Sequence, residues 1–217
     1  MVNNNLGLSI NHLGADIIKM MDLCSKAIDT SVTSAVNKDV ELARQVIKLD
    51  DEIDDLRVGV IDKGIELTAL KQPMARDLRL IYALQHMALD LERIGDYATN
   101  IAMETIKIGN EEHVEEMVDI PKMKDVCISM LNQAKVALQK KDTKEAYRAA
   151  SEDDILDNLY NDVYVDILAA MHKNEDNINQ GVKILFIARY LERIGDHITN
   201  ICENIIYAVK GEMVEIG

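Results

Sequence analysis

The chain of 217 residues is poor in aromatic side chains and in residues that interrupt helices. It contains no Trp, one Phe and two Pro, and Gly occurs ten times. It also lacks runs in which Val, Thr or aromatic residues alternate with polar ones between turn residues, the pattern typical of β-strands. Leu, Ile, Ala, Met, Lys and Glu, which are common in helices, dominate the composition. The sequence therefore predicts an all-α protein.

Basic residues are few relative to acidic ones. The chain has 24 Lys and Arg against 38 Asp and Glu, which gives a net charge of −14. This excess repels phosphate backbones and anionic lipid heads, so nucleic acid is not expected as a direct partner. There is no run of 18 apolar residues and no signal-peptide pattern at the start, so we expect no membrane insertion and a cytoplasmic location. Cys24, Cys127 and Cys202, which lack CxxC spacing, are expected to be reduced thiols.

One charged phrase occurs twice, at an offset of 100 residues. Residues 91–101 read LERIGDYATNI and residues 191–201 read LERIGDHITNI, so nine of eleven positions match. Apolar packing tolerates many substitutions, and it does not by itself require identical polar residues. The repeated polar residues are Glu92, Arg93, Asp96 and Asn100, and Glu192, Arg193, Asp196 and Asn200. Their repetition indicates either a chemical role or a very recent duplication.

The repeat extends upstream of this phrase, at an offset of 103. Asp22-Leu23-Cys24 aligns with Asp125-Val126-Cys127, and Lys38-Asp39 aligns with Lys141-Asp142. Most residues outside the repeated phrase differ, so the duplication is old, and selection on the repeated polar residues is the better explanation of their identity. We therefore expect two units, residues 1–112 and 113–217.

Apolar residues recur at intervals of three and four within each unit, which predicts amphipathic helices. Short loops make neighbouring helices antiparallel, so the expected fold is two tandem three-helix bundles. Pro73 is expected in the first turn of a helix, and residues 109–121 are expected to form the linker. In the first unit, the first helix is predicted to end near residue 36, and the second and third are predicted to span about 40–70 and 73–108. The helices of the second unit are predicted to span about 122–140, 142–173 and 178–210.

Carboxylates occur in pairs four residues apart, on one face of the second and the third predicted helix of each unit. Asp54 lies about 17 residues before the turn near Lys71, and Glu92 lies about 20 residues after it. The two side chains should therefore reach similar heights in an antiparallel pair. We expect four carboxylates to converge in each unit: Asp50, Asp54, Glu92 and Asp96, and Asp153, Asp157, Glu192 and Asp196.

Four oxygen donors without thiolate or imidazole suit Mg, Ca, Mn or Fe(III) better than Zn, and bridging carboxylates could hold more than one ion. The alternative is a solvated acidic face that Arg93 and Arg193 partly neutralise. His197 is expected to be a peripheral residue or an accessory ligand. Cys24 and Cys127 lie on apolar seams and are expected to fill the core.

The doubled LERIGDxxTNI phrase, together with QPMARDLRL at residues 72–80, resembles the PhoU family of phosphate-uptake regulators. The resemblance spans about Leu6 to Lys210, although the second unit has NEDNINQGVKIL in place of QPxxxDLR. It implies two three-helix bundles side by side with pseudo-twofold symmetry. It also implies multinuclear iron or zinc clusters held by the E/D-xxx-D pairs, which here are Asp50 with Asp54, Glu92 with Asp96, Asp153 with Asp157, and Glu192 with Asp196.

The resemblance further implies a cytoplasmic negative regulator without catalytic activity. Such a protein would link the ATPase of a phosphate ABC transporter to a phosphate-sensing histidine kinase, and would form a homodimer. The rival hypothesis is a carboxylate-cluster metalloprotein with an oxidase, phosphohydrolase or metal-handling role. None of the five His follows a Glu by three residues, the spacing that di-iron bundles use, which disfavours an enzyme of that type. A purely structural helical scaffold does not explain the repeated polar residues.

Overall fold

Seven α-helices and one 3-10 turn make up the part of the chain that the structure describes. This computed structural model describes residues 2–109 and 119–216, which contain no strand. The all-α fold with two repeated units is confirmed. The first unit comprises α1 (Val2–Asn37), α2 (Val40–Lys71) and α3 (Ala75–Ile108); the second comprises α4 (Asp119–Lys140), α5 (Thr143–Ala150), α6 (Asp153–Lys173), the 3-10 turn (Glu175–Asn177) and α7 (Ile178–Lys210).

The first corner of each unit has the same construction. Lys38 and Lys141 both adopt positive φ, at 57° and 55°. The next residue in each unit caps the following helix, because Asp39 accepts a hydrogen bond from the Leu42 N–H at 2.9 Å and Asp142 accepts one from the Lys144 N–H at 2.9 Å. The offset of 103 seen in the sequence is therefore the offset of equivalent turns.

The predicted single helix at 142–173 is wrong, because the structure divides it into α5 and α6 at Ser151 and Glu152. Ser and Asp side chains compete for backbone hydrogen bonds and favour helix ends. Here the Ser151 hydroxyl donates to the Arg148 carbonyl at 2.8 Å, and Glu152 accepts from the Gln133 amide at 2.6 Å. As a result, Asp153 lies in the first turn of α6.

Two further boundaries differ from the predictions. Pro73 lies before α3, whose cap is Met74, and not in its first turn. α4 begins at Asp119, so the last residues of the predicted linker are helical. Residues 110–118 of that linker lie outside the described residues, and so does the predicted boundary between residues 112 and 113.

α3 and α7 form the central antiparallel pair, and each carries one copy of the repeated phrase. Their contacts pair Asp90 with His197, and Tyr97 with Tyr190. Because the repeat offset is 100, these two contacts are equivalent, which places a pseudo-twofold axis between the helices. The apolar residues of the phrase are fully buried: Leu91, Ile94, Leu191 and Ile194.

All three cysteines are buried free thiols. Cys24 donates to the Leu91 carbonyl at 3.2 Å, and Cys127 donates to the equivalent Leu191 carbonyl at 3.5 Å. Burial raises the pKa of the Cys24 and Cys127 thiols well above the usual range and that of Cys202 to about 12. The prediction that Cys24 and Cys127 fill the core is confirmed. Among the described helices, none is both long and apolar enough to cross a membrane.

Candidate metal-binding patches

The first carboxylate cluster lies between α2 and α3, and we call it patch 1 (Asp50, Asp54, Glu92 and Asp96). Burial, followed by the charges of Asp96 and Asp54, raises the pKa of Asp50 to about 6. Burial and Asp96 also raise the pKa of Glu92, while Arg93 and Arg57 oppose that rise. Carboxylates from both helices thus lie close enough to repel one another, at the common height that the sequence predicted.

Gly95 allows this close approach. A Cβ atom at this position would lie 2.7 Å from Asp50 Oδ1 and 3.2 Å from Ile53 Cδ1. Any larger residue would therefore meet both the carboxylate and the apolar side chain beneath it. The Gly of the LERIGD phrase is the sequence signal for this contact.

Two arginines partly neutralise patch 1. Arg93 Nη1 lies 3.0 Å from Asp96 Oδ2, as the solvated-face hypothesis anticipated. Arg57, which lies outside the repeated phrase, places Nε 3.7 Å from Asp54 Oδ1 and 3.7 Å from Glu92 Oε1. The Asp54 and Asp96 side chains are 53% and 43% exposed, so the patch is open to solvent.

The second cluster lies between α6 and α7, and we call it patch 2 (Asp153, Asp157, Glu192 and Asp196). Burial, followed by the charges of Asp196, Asp157 and Glu192, raises the pKa of Asp153 to about 7. A Cβ atom at Gly195 would overlap Asp153 Oδ1 and Leu156 Cδ2. Each patch therefore consists of three Asp and one Glu, and in each a glycine allows the two helices to approach closely.

The second arginine does not come from equivalent helices in the two patches: Arg57 lies on α2, whereas Arg189 lies on α7. The repeat places Tyr160 where the first unit has Arg57, and Arg189 where the first unit has Leu89. Arg189 Nη1 lies 2.5 Å from Glu192 Oε1, and its guanidinium lies 5.7 Å from the centre of the Tyr160 ring. Arg193 pairs with Asp196 at 2.8 Å, as Arg93 does with Asp96. An alignment of the two repeats from Asp50 to Asp96 would have revealed this exchange.

The donor chemistry of both patches fits a metal cation. In each, four carboxylates and two guanidinium groups leave a net charge of −2 when all are ionised. Glu192 Oε2 is buried and has no hydrogen-bond partner among the described residues. Within residues 2–109 and 119–216, however, no three His, Cys, Asp or Glu side chains are placed as a ready set of ligands for one ion. Ligation would therefore require side chains to rotate.

His197 lies at the interface of α3 and α7. Its Nδ1 is 3.0 Å from Asp90 Oδ1, and its ring is 5.7 Å from that of Tyr97. The Asn200 amide donates to the same Asp90 oxygen at 3.4 Å. His197 Nδ1 therefore faces Asp90 instead of patch 2.

The comparisons with known proteins agree with the doubled motif. The family model described as the PhoU domain matches the chain twice, over residues 17–105 and 120–205. The "phosphate-specific transport system accessory protein PhoU homolog" of Clostridium acetobutylicum is 33% identical over 209 residues, covering 96% of this chain and 95% of that protein. The protein of the same description from Aquifex aeolicus is 38% identical over 200 residues, covering 92% and 90%.

Solved structures show the same architecture. The crystal structure of PhoU from Pseudomonas aeruginosa superposes with a TM-score of 0.90 at 29% identity, covering 95% of this chain and 99% of that one. The phosphate transport system regulatory protein PhoU from Streptococcus pneumoniae also gives a TM-score of 0.90, at 28% identity, covering 97% and 99%. The chain belongs to the PhoU family.

Proposed function

We propose that this protein is an accessory protein of a phosphate-specific transport system, acting in the cytoplasm as a negative regulator of phosphate uptake and phosphate-starvation signalling. One observation carries the proposal: relatives with this description align with nearly the whole chain, across both units. In this role the protein is an adaptor without catalytic activity. It links the ATPase subunit of a phosphate ABC transporter to a sensor histidine kinase and acts as a homodimer.

The geometry of the patches supports an adaptor. The pseudo-twofold axis between α3 and α7 gives the molecule two similar acidic surfaces, and half-exposed carboxylates on each are accessible to a partner. The net charge of −14 favours fast association with basic surfaces. Two related surfaces on one rigid helical pair suit a protein that engages two partners.

The proposal includes metal ions bound at both patches, as multinuclear iron or zinc, or as Mg, Mn or Ca. The ligands would be Asp50, Asp54, Glu92 and Asp96 in patch 1, and Asp153, Asp157, Glu192 and Asp196 in patch 2. A bound ion would supply positive charge where carboxylates otherwise repel anions and one another. Arg57 and Arg189, which contact the same carboxylates, would then have to move aside.

The alternative is a carboxylate-cluster metalloprotein with an oxidase, phosphohydrolase or metal-handling role. The buried Glu192 Oε2, which accepts no hydrogen bond from the described residues, and the raised pKa of Asp153 favour it, because perturbed groups of this kind also occur at catalytic sites. The exposure of Asp54 and Asp96 favours the adaptor, since a reactive metal centre is better shielded from water.

Affinity capture from phosphate-replete cells tests the adaptor function. We expect the tagged protein to recover the transporter ATPase and the histidine kinase, as quantified by mass spectrometry. A variant with both patches neutralised is expected to recover less of at least one of them, because the acidic surfaces carry the contacts. Recovery of the bait alone, while the transporter subunits are expressed, would contradict the adaptor and favour the alternative.

Elemental analysis of purified protein tests the metal sites. Neutralising patch 1 (Asp50→Asn, Asp54→Asn, Glu92→Gln and Asp96→Asn) should remove the metal of the first unit and leave that of the second. A charge-matched control neutralises four exposed acids elsewhere (Asp62→Asn, Glu66→Gln, Asp162→Asn and Asp166→Asn) and should retain both. Equal metal content in wild type and the patch 1 variant would rule out the first site.

A further inference from the structure

An open cleft of about 820 Å³ lies where α2 ends, α3 begins and α7 ends. Its wall is mainly apolar and aromatic, formed by Ile65, Ala69, Leu78, Ile81, Tyr82 and Tyr207. The Tyr82 and Tyr207 rings meet edge to face, with centres 6.0 Å apart. Tyr82 is ten residues from Glu92, which corresponds to about 15 Å along α3. The cleft is therefore separate from patch 1.

Arg79 is the cationic residue of this cleft, and it belongs to the QPMARDLRL segment, which the patches do not use. Its Nε is buried and has no hydrogen-bond partner among the described residues. The guanidinium lies against Gly211, where a Cβ atom would be 3.2 Å from Nε. The absence of a side chain at Gly211 makes room for it.

Arg79 forms no ion pair with the described residues, although the chain has a net charge of −14. Every other arginine except Arg76 lies within 4 Å of a carboxylate. The C-terminal end of α7 lies beside Arg79 and supplies only a partial negative charge. A partly buried cation without a full counter-charge is costly, so an anion in the cleft would stabilise it.

We propose that this cleft binds a small organic anion, with a carboxylate or phosphate group on Arg79 and an apolar body on the aromatic wall. A guanidinium can hold either headgroup through two parallel hydrogen bonds. Ile65, Leu78 and Tyr82 are 59%, 42% and 43% exposed, and the apolar body would cover them. Burial of apolar surface would add to the affinity of the charged group.

The site occurs once per chain, because the repeat does not reproduce it. The offset of 100 places Asn179 at the position of Arg79, and Asn carries no charge to bind the headgroup. The proposal concerns different residues from those of the patches and does not depend on the metal. It predicts one bound anion per chain.

Isothermal titration with four probes tests the cleft. Octanoate and octyl phosphate combine a headgroup with an apolar body, whereas inorganic phosphate and 1-octanol each offer one part. We expect one octanoate or octyl phosphate per chain, and weaker binding of the single-part probes. In Arg79→Met the affinity for octanoate should fall at least about tenfold, because the charged contact is lost. The stronger of octanoate and octyl phosphate identifies the preferred headgroup.

Two variants keep the test specific. Arg44→Met removes an equally charged residue, exposed on α2 and paired with Glu41, and should bind octanoate as wild type does. Ala69→Phe fills the cleft from an exposed position and should block binding while circular dichroism shows unchanged helicity. The proposal is overturned if no probe binds, if Arg79→Met binds octanoate like wild type, or if inorganic phosphate binds as tightly as octyl phosphate. It is also overturned if 1-octanol binds as tightly as octanoate.

Discussion

Replacing Asp153 with Asn is expected to stabilise the metal-free protein near pH 8 by about 1–3 kcal/mol. The pKa of this carboxyl rises from 3.8 to about 7 in the folded protein, because burial and three neighbouring carboxylates disfavour its charge. A shift of that size corresponds to about 4 kcal/mol, and solvent screening of a half-buried group reduces it. Asn removes the charge and with it the penalty. Denaturant unfolding of wild type and variant measures the difference.

The sign of the pH dependence follows from the direction of the shift. Since the folded pKa of Asp153 lies above the unfolded value, the folded protein binds more protons between about pH 4 and pH 7. The contribution of this group to stability is therefore lost as the pH rises through that window, and the penalty is complete above it. The gain from Asp153→Asn should be present near pH 8 and shrink as the pH falls towards 4. Asp50→Asn should give a smaller gain, because the pKa of Asp50 rises only to about 6.

Two controls separate this effect from unrelated ones. Asp166→Asn removes the same charge from an exposed position on α6 and should change the free energy of unfolding by less than about 0.5 kcal/mol. If patch 2 holds a metal ion, Asp153→Asn should also weaken binding, so the same substitution should destabilise the metal-loaded protein. If Asp153→Asn is less stable than wild type near pH 8 in the presence of a chelator, then repulsion between Asp153 and its neighbouring carboxylates does not destabilise the folded protein.

Much of this architecture follows from features that the sequence displays directly. Equivalent turns at Asp39 and Asp142 were predictable because a capping Asp leaves a local signal. The convergence of Asp54 with Glu92 was predictable because helix rise fixes height when two antiparallel helices share a short turn. The repetition of Glu92 and Asp96 as Glu192 and Asp196 indicated that the carboxylate-bearing helix face has a role in both units.

Other features depend on contacts that a single helix does not encode. The apolar pattern is continuous across Ser151 and therefore predicted one helix. In the structure, the hydrogen bond of the Ser151 side chain accompanies a break that separates α5 from α6. Arg57 and Arg189 reach patches from different helices, so neither stands out in the repeated phrase. Arg79 is recognisable as unpaired only when the positions of all neighbouring carboxylates are known.

Gly195→Ala and Gly59→Ala are expected to change stability in opposite directions. Both glycines lie inside helices, where Ala is intrinsically favoured by about 0.5–1 kcal/mol. At Gly59 a Cβ atom would have no neighbour within 4 Å, so Gly59→Ala should stabilise the protein by that amount. At Gly195 the Cβ would overlap Leu156 and Asp153, and overpacking costs about 1–3 kcal/mol.

The difference between these two variants, about 1–3 kcal/mol in unfolding free energy, isolates the helix contact from helix propensity. Leu156 is fully buried and has little room to move, so the strain at Gly195 should fall mainly on Asp153 and on the spacing of α6 and α7. Gly195→Ala should therefore also reduce any metal held at patch 2, while Gly59→Ala leaves metal content unchanged. Equal stabilisation by both substitutions would show that the helices tolerate a wider separation. In that case the Gly of the repeated phrase would not be what places the carboxylates together.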